Sequence, residues 1–324
     1  MIAPTGRRTD PAVDELFLQE AIAAGAALEA AARLGVLARL AAGPADPPAL
    51  ARDCAIGERG ARLLLAALAG LGLAASADDG SYRAAVPDLG GLAALIAPWA
   101  GLAEAVRDDR GPDAADTPDG AAALYPGVVT RLGAMFAPLA ECAADLLAAP
   151  GLRVLDAGAG AAPWSLAIAR RDAGCRVTAV DLPAVLPATR RAAAAAGCDG
   201  QLTYLAGDFF ALDLGAGYDL AIAGAVCHLF DGATNRQLLG RLFGALRPGG
   251  TLAVVEVLPN ERLDGPRPAV LYALGLLLRT SRGQTYPFSA YAGWLRDSGC
   301  EAVERTDLGG GLPVSLITAR RPAA

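Results

Sequence analysis

The sequence predicts an α/β protein: a Rossmann-like, mostly parallel sheet preceded by a mainly helical domain in winged-helix order. Three observations predict it. From Leu152 onward, short apolar runs alternate with helix-length segments, the pattern that builds a parallel sheet through right-handed crossovers. A glycine-rich turn, Gly158-Ala-Gly160, follows the first of those runs. Upstream, the chain reads helix, helix, then hairpin, and its 324 residues are comfortable for two domains.

Residues 14 to 42 carry apolar positions at three- and four-residue intervals, as one or two long helices would. Gly43-Pro-Ala-Asp-Pro-Pro48 breaks that pattern, and helices are expected at 48–54 and 58–71. Gly72 to Val86 suits two short strands around the Asp79-Gly80 turn. Residues 90 to 150 read as mostly helical, broken at 108–113 and by a turn at Asp116-Thr-Pro-Asp-Gly120. After Ala149-Pro-Gly151, strands are expected at 152–156, 175–181, 201–206, 218–224 and 251–257, with helices at 162–173, 183–197 and 232–246. A helix near 288–298 and a strand pair at 301–307 and 313–319 close the chain. The expected domains are 1–100, a helical linker at 101–150 that contributes to a substrate pocket, and 151–324.

Composition narrows the partners. Alanine and leucine dominate an apolar content of 54%, while aromatics make up 5%, which favours helix. Net charge is −6 with no basic block, so nucleic acid is not an expected partner. The putting-together of helix, helix and hairpin also occurs in DNA-binding modules, but the second helix here offers only Glu58, Arg59 and Arg62 among alanines and leucines. Six scattered cysteines without a CxxC pair, and one histidine, point to free thiols and to no metal site. The start lacks an apolar signal core, and Glu29, Arg33 and Arg39 interrupt the apolar helix at 20–40. A cytoplasmic protein without a membrane contact is expected.

Chemistry gathers at the strand ends. Gly158 and Gly160 let the backbone turn tightly against a ligand, and Pro163 suits the first helical turn, where its missing N–H costs nothing. A dinucleotide fingerprint would want glycine at 163. Asp181 ends the next strand, where a carboxylate can hold ribose hydroxyls. Gly207-Asp208-Phe209-Phe210 ends the one after it, offering a carboxylate and an aromatic wall for a base. Such features in order at the carboxyl ends of successive strands mark a nucleoside-binding edge.

These stretches resemble a class I S-adenosylmethionine-dependent methyltransferase over residues 152–320. From about residue 14 the whole chain resembles the small-molecule O-methyltransferases with an N-terminal winged-helix dimerisation domain, as in plant phenolic and bacterial natural-product enzymes. The matching motifs are Val154-Leu-Asp-Ala-Gly-Ala-Gly160, Val180-Asp-Leu-Pro183, Gly207-Asp-Phe-Phe210, Cys227-His228 with Asp231, Leu246-Arg-Pro-Gly-Gly250 and Glu256-Val-Leu-Pro259. The resemblance implies a seven-stranded sheet and S-adenosyl-L-methionine as cofactor, leaving as S-adenosyl-L-homocysteine. It places Asp181 with Leu182 at the ribose, and Asp208 and Phe209 with Gly207 at the adenine. Asp156, Gly158, Gly160, Trp164 and Ala225 would lie along the methionine and ribose portions. Ala162 stands where many members have a third glycine.

By the same resemblance His228 is the general base and Glu256 the carboxylate that orients it. Methyl transfer from a sulfonium is an in-line displacement, leaving the enzyme alignment and, for a hydroxyl acceptor, proton removal. A histidine of pKa near 6.5 facing a phenol of pKa near 10 leaves a gap of roughly 5 kcal/mol. Coupling to transfer can offset that, so phenols, enols, hydroxyquinones or carboxylates are expected acceptors rather than simple alcohols. The residue after the histidine is Leu229, where members often carry a polar one. Gln284 is the nearest equivalent of a second catalytic glutamate in plant members. Met135, Phe136, Tyr272, Leu276 and Gln284 are the substrate-pocket candidates. The apolar helical layer from Leu16 to Leu40 suggests a homodimer. Two other readings stay open: a relative that methylates nitrogen or carbon, or has replaced methyl transfer by decarboxylation, hydroxylation or pericyclic chemistry; and a DNA-binding regulator.

Overall fold

The computed structural model describes residues 15–109, 111, 114–309, 311 and 313–323. The chain divides into two compact units, Met1–Leu102 and Ala103–Ala324. The stretch at 103–150, expected within a linker, folds with the second of them.

The first unit runs α1 (Glu15–Arg33), α2 (Val36–Ala41), α3 (Pro47–Asp53), α4 (Glu58–Gly70), β1 (Ala74–Ser76) and β2 (Tyr82–Ala84). Asp46 starts α3 by accepting the Ala49 N–H at 2.7 Å, and Pro47 occupies its first turn. Leu37, Leu40, Leu50, Leu65 and Leu68 form its sealed core. The β1–β2 hairpin turns at Gly80, whose φ of 80° only glycine adopts cheaply. Tyr82 also pairs with Ala45 through two backbone hydrogen bonds, so the wing has a third, minimal strand. The next stretch, Leu89–Asp108, contains α5 (Leu92–Ile96), a 3-10 turn at Ala97–Gly101 and α6 (Leu102–Asp108). Unlike the interrupted apolar helix at 20–40, it is long and apolar enough to cross a membrane by length and composition. Little of it is buried.

The second unit opens with α7 (Pro118–Leu147), a helix of 30 residues. Residues 116–120 do not form the expected turn. Thr117 accepts the Gly120 N–H at 3.1 Å and Pro118 sits at the first helical position, so turn-forming residues here make a helix start. Then follow β3 (Arg153–Ala157), α8 (Pro163–Ala169), β4 (Arg176–Asp181), α9 (Leu186–Ala195), β5 (Leu202–Ala206), β6 (Tyr218–Gly224), α10 (Gly232–Ala245), β7 (Leu246–Val257), α11 (Arg267–Leu277), α12 (Phe288–Asp297), β8 (Glu301–Gly309) and β9 (Val314–Arg320). Strand β7 starts five residues earlier than expected, because Leu246 pairs with Tyr218 before a register shift carries the ladder on to Leu220↔Thr251.

The seven strands lie in the order β5-β4-β3-β6-β7-β9-β8, parallel from β5 to β7 and closed by the antiparallel β9 and β8. Strand order reverses between β3 and β6, and ligands bind beyond the carboxyl ends at such a point. Helix α7 lies against α8 and the loop after β3. Arg171 at the end of that unit of structure reaches back to Glu141 (2.8 Å) and Asp145 (2.5 Å). These exposed pairs contribute at most about 1 kcal/mol each. The closeness comes from small residues: a Cβ added at Gly133 would come within 2.6 Å of the Ala161 Cβ.

Gly133→Ala is therefore expected to destabilise the second unit by about 1–3 kcal/mol, since neither the helix nor the loop has room to give. A thermal melt reads this; an unchanged melting temperature would mean α7 can slide on the loop.

Candidate active site

Each of the first three parallel strands delivers its chemistry in the turn that follows it. After β3, Gly158 and Gly160 adopt φ of 72° and 57°, and their positions are crowded: Cβ atoms there would meet Val226 at 3.1 Å and Val129 at 2.9 Å. Ala162 closes the turn in the left-handed region, φ 54° and ψ 39°, where an L-residue carries roughly 1–2 kcal/mol of strain. The missing third glycine thus leaves the backbone geometry in place. Pro163 opens α8.

The ends of β4 and β5 hold this loop. Asp181 accepts the Gly160 N–H and the Leu182 N–H, each at 2.7 Å. Burial pushes its pKa up, and those two backbone bonds pull against the rise. Thr189 donates to the Gly160 carbonyl at 2.6 Å. After β5, Asp208 accepts the Phe210 N–H at 2.8 Å. Phe209, Phe210 and Phe230 form an aromatic wall with ring centroids 4.8 to 6.1 Å apart.

After β6 the chain turns through Ala225, itself left-handed at φ 56°, into a short 3-10 turn at Cys227–Leu229. The carbonyl of Cys227 is held by Asn235 at 2.9 Å, which fixes the turn under His228. Glu256, buried on β7, accepts from both nitrogens of that residue's near side: the backbone N–H at 3.2 Å and Nδ1 at 2.8 Å. The carboxylate can hold Nδ1 only if that nitrogen carries a proton, so neutral His228 has its lone pair on Nε2. The hydroxyl of Tyr272, on α11, lies 3.0 Å from Nε2, with the two rings edge to face.

A cavity with about 960 Å³ of empty space, its open mouth included, runs along these strand ends. Gly158, Gly160, Trp164, Asp181, Leu182, Gly207, Asp208, Phe209 and Ala225 line it. Asp156 does not. It is fully buried behind the loop, taking the Ser165 hydroxyl on one oxygen and nothing on the other. Of the substrate candidates, Phe136 lines the cavity and packs on Trp164 at 5.6 Å. Met135 is half exposed and points elsewhere, one helical step off that face. Leu276 is buried outside the lining, and Gln284 is exposed, hydrogen-bonded to Tyr286 rather than near the imidazole ring. His228, Glu256 and Tyr272 form a cluster beside the cavity, next to its wall residues Val226, Leu229 and Phe230.

Of the roof, which belongs to the 101–150 stretch expected to contribute to the pocket, sequence reasoning names only Phe136 correctly. Ala121, Tyr125, Val129, Leu132, Gly133 and Phe136 all line the cavity from α7, and their spacing places them on one helical face. That periodicity was the available signal. Phe230, next to the histidine turn, was missed as well.

The room and the donors suit a nucleoside with a charged tail. The Asp181 carboxylate retains lone pairs that a diol could use, Asp208 is a further acceptor in the wall, and Phe209 offers a ring face. Comparison with known proteins agrees. A family model described as an O-methyltransferase domain matches residues 142–300. A 3-hydroxy-5-methyl-1-naphthoate 3-O-methyltransferase from Streptomyces sahachiroi is 32% identical, covering 94% of this chain and 94% of its own. An acetylserotonin O-methyltransferase from Mus musculus is 32% identical over 79% of this chain and 75% of its own. Human N-acetylserotonin methyltransferase, solved in complex with S-adenosylmethionine, superposes with a TM-score of 0.72 at 24% identity, covering 98% of this chain and all of that one. Mitomycin 7-O-methyltransferase superposes with a TM-score of 0.71 at 23% identity, covering 95% and 96%. The chain belongs to the S-adenosylmethionine-dependent O-methyltransferase family.

Asp156 makes a pH prediction. Burial outweighs the Ser165 hydrogen bond and lifts its pKa to about 7. A folded-state pKa raised above the unfolded ~3.9 favours the protonated, folded form at low pH. Its stabilising contribution is therefore complete below pH ~4 and lost as pH rises through about 7. Melting temperature should fall across that window in the wild-type protein, and Asp156→Asn should flatten the slope. An identical slope in both would place the titrating group elsewhere.

Proposed function

We propose that this protein transfers a methyl group from S-adenosyl-L-methionine to an acidic hydroxyl of a flat, phenolic, enolic or quinone-type small molecule, with His228 as general base. The observation that carries this reading is the double hold of Glu256 on His228. It selects the tautomer, orients the ring, and offers a negative charge to the imidazolium that proton removal creates. The cofactor supplies an electrophilic methyl on a sulfonium. The residues' tasks are then to seat its ribose at Asp181 and its base between Asp208 and Phe209, and to exclude water with the α7 roof. The tail would run past Gly158, Gly160 and Trp164.

The acceptor class rests on two supports. A histidine base suits hydroxyls that ionise more readily than an alcohol, and Phe136, Trp164 and Phe230 give the cavity flat apolar walls. The naphthoate relative carries the name of an aromatic hydroxyl acceptor. The products of secondary metabolism are the natural setting for such acceptors.

The first unit we propose as a dimerisation domain rather than a DNA reader. Leu18, Ile22, Leu95 and Trp99 stand exposed on its helices. Helix α1 packs against α5 and the 3-10 turn at Ala97–Gly101, so these side chains stand on neighbouring elements that a second copy of the chain would cover. The net charge of −6 disfavours nucleic acid, and we place the protein in the cytoplasm. Light scattering on the purified chain should return twice its 32.6 kDa mass; a monomer at micromolar concentration would remove this part of the reading.

The chemical test is incubation with labelled cofactor and a hydroxynaphthoic acid, a hydroxynaphthoquinone or phenylpyruvate, scoring S-adenosylhomocysteine and labelled product. His228→Ala should lower kcat by about 10²–10⁴-fold while leaving cofactor affinity unchanged by calorimetry. Label in a product with no new methyl ether would move the assignment to nitrogen or carbon methylation. Tight cofactor binding with product change but no label transfer would favour a non-methylating relative.

A further inference from the structure

His228 has no free nitrogen. Nδ1 is committed to Glu256, and the lone pair on Nε2 faces the Tyr272 hydroxyl at 3.0 Å. The histidine is buried, 6% exposed, and Tyr272 is partly buried; both stand beside the cavity rather than in its wall. An acceptor hydroxyl therefore either displaces Tyr272 or reaches the base through it.

Three features hold the tyrosine where it is. Its ring packs edge to face on the imidazole with centroids 5.3 Å apart. The Arg279 guanidinium lies over the same ring at 5.6 Å, anchored through Nε to the Gly275 carbonyl at 3.1 Å. The Arg279 carbonyl in turn takes the Ala115 N–H at 2.8 Å, at the entrance to the α7 roof. No carboxylate among the described residues forms an ion pair with Arg279, so its charge is directed at the phenols around it.

We propose that Tyr272 is a catalytic proton relay between the acceptor hydroxyl and His228, with Arg279 as its positioning residue. This rests on the reading of His228 as base. The acceptor O–H proton passes to the Tyr272 oxygen as the tyrosine's own proton passes to Nε2. The acceptor oxygen takes the methyl, the methyl–sulfur bond breaks, and sulfur keeps the electron pair. Tyrosine is regenerated neutral and the imidazolium is left facing Glu256. On ordinary values the second transfer is uphill, tyrosine near 10 against imidazole near 6.5, and departure of the sulfur leaving group drives it. Burial and the Glu256 charge raise the phenol's pKa, while Arg279 opposes both. The two transfers therefore run together, and no free tyrosinate is needed.

The chain's single histidine makes the test unusually direct. In the wild-type protein with S-adenosylmethionine bound, imidazole ¹⁵N NMR should show Nε2 unprotonated and hydrogen-bonded. In Tyr272→Phe its resonance should move towards that of a free nitrogen. With whichever of the three probe acceptors the wild-type turns over, Tyr272→Phe should lower kcat by about 100-fold. Acceptor KM and cofactor affinity should stay within about threefold, a split that a packing role would not produce. Unchanged or raised kcat, or an unmoved Nε2 resonance, overturns the relay. Should Tyr272→Phe fail to fold, Arg279 decides: Arg279→Met should lower kcat at constant KM and Arg279→Lys should restore most of it, and unchanged kcat in Arg279→Met overturns the proposal. A His228→Ala protein that keeps full activity breaks the base reading itself. A dead His228→Ala beside a fully active Tyr272→Phe breaks the relay alone.

Discussion

The loop after β3 has no room for side chains, and the site is arranged around that constraint. Gly158 faces Val226 from the β6 turn, Gly160 faces Val129 from α7, and Ala161 meets Gly133. One backbone segment is thereby wedged between the helix above it and the turn that carries His228. Two polar contacts set its height: the Asp181 carboxylate on the Gly160 N–H and Thr189 on the Gly160 carbonyl. A movement of any one partner would carry the others with it, because close-packed surfaces transmit displacement rather than absorb it. The loop, the roof and the His228 turn are mechanically one object.

Two buried carboxylates and a half-buried one meet the cost of desolvation differently. Glu256 has two N–H donors, both from His228. Asp181 also has two donors, but sits at the cavity wall, where further donors from a ligand can still reach it. Asp156 has a single hydroxyl donor and one oxygen with no partner. Its pKa is lifted to about 7, and it is a buttress behind the loop rather than a contact of the cavity.

Much of this was legible in the sequence because the chemistry sits at strand ends, where motif and topology coincide. Gly158, Asp181, Asp208 and His228 each follow or end an apolar run, so their gathering at one edge followed from the parallel order alone. What escaped has a physical reason in each case. Thr117-Pro-Asp-Gly120 has the composition of a turn and the geometry of a helix start, since the same residues satisfy both. Met135 was chosen beside Phe136 by position, whereas only the helical period distinguishes them: Tyr125, Val129, Leu132 and Phe136 face the cavity and Met135 does not. Leu246-Arg-Pro-Gly-Gly250 has loop composition, and became strand because Tyr218 offered it a partner. The contact of Tyr272 with His228 spans 44 residues and two elements, and no local pattern encodes it.

Gln284 lies exposed near Tyr286, so the far side of His228 carries no second carboxylate from that position. A phenol and a guanidinium stand there instead, and this changes the electrostatics of proton removal. A second carboxylate would favour the imidazolium. Arg279 favours negative charge on the Tyr272 oxygen. It thereby pulls against the rise that burial imposes on that hydroxyl. Such a balance helps most when the acceptor already ionises easily, as enols and hydroxyquinones do. It helps least for a simple alcohol, whose gap of roughly nine pKa units from histidine, or about 12 kcal/mol, no single cation can close.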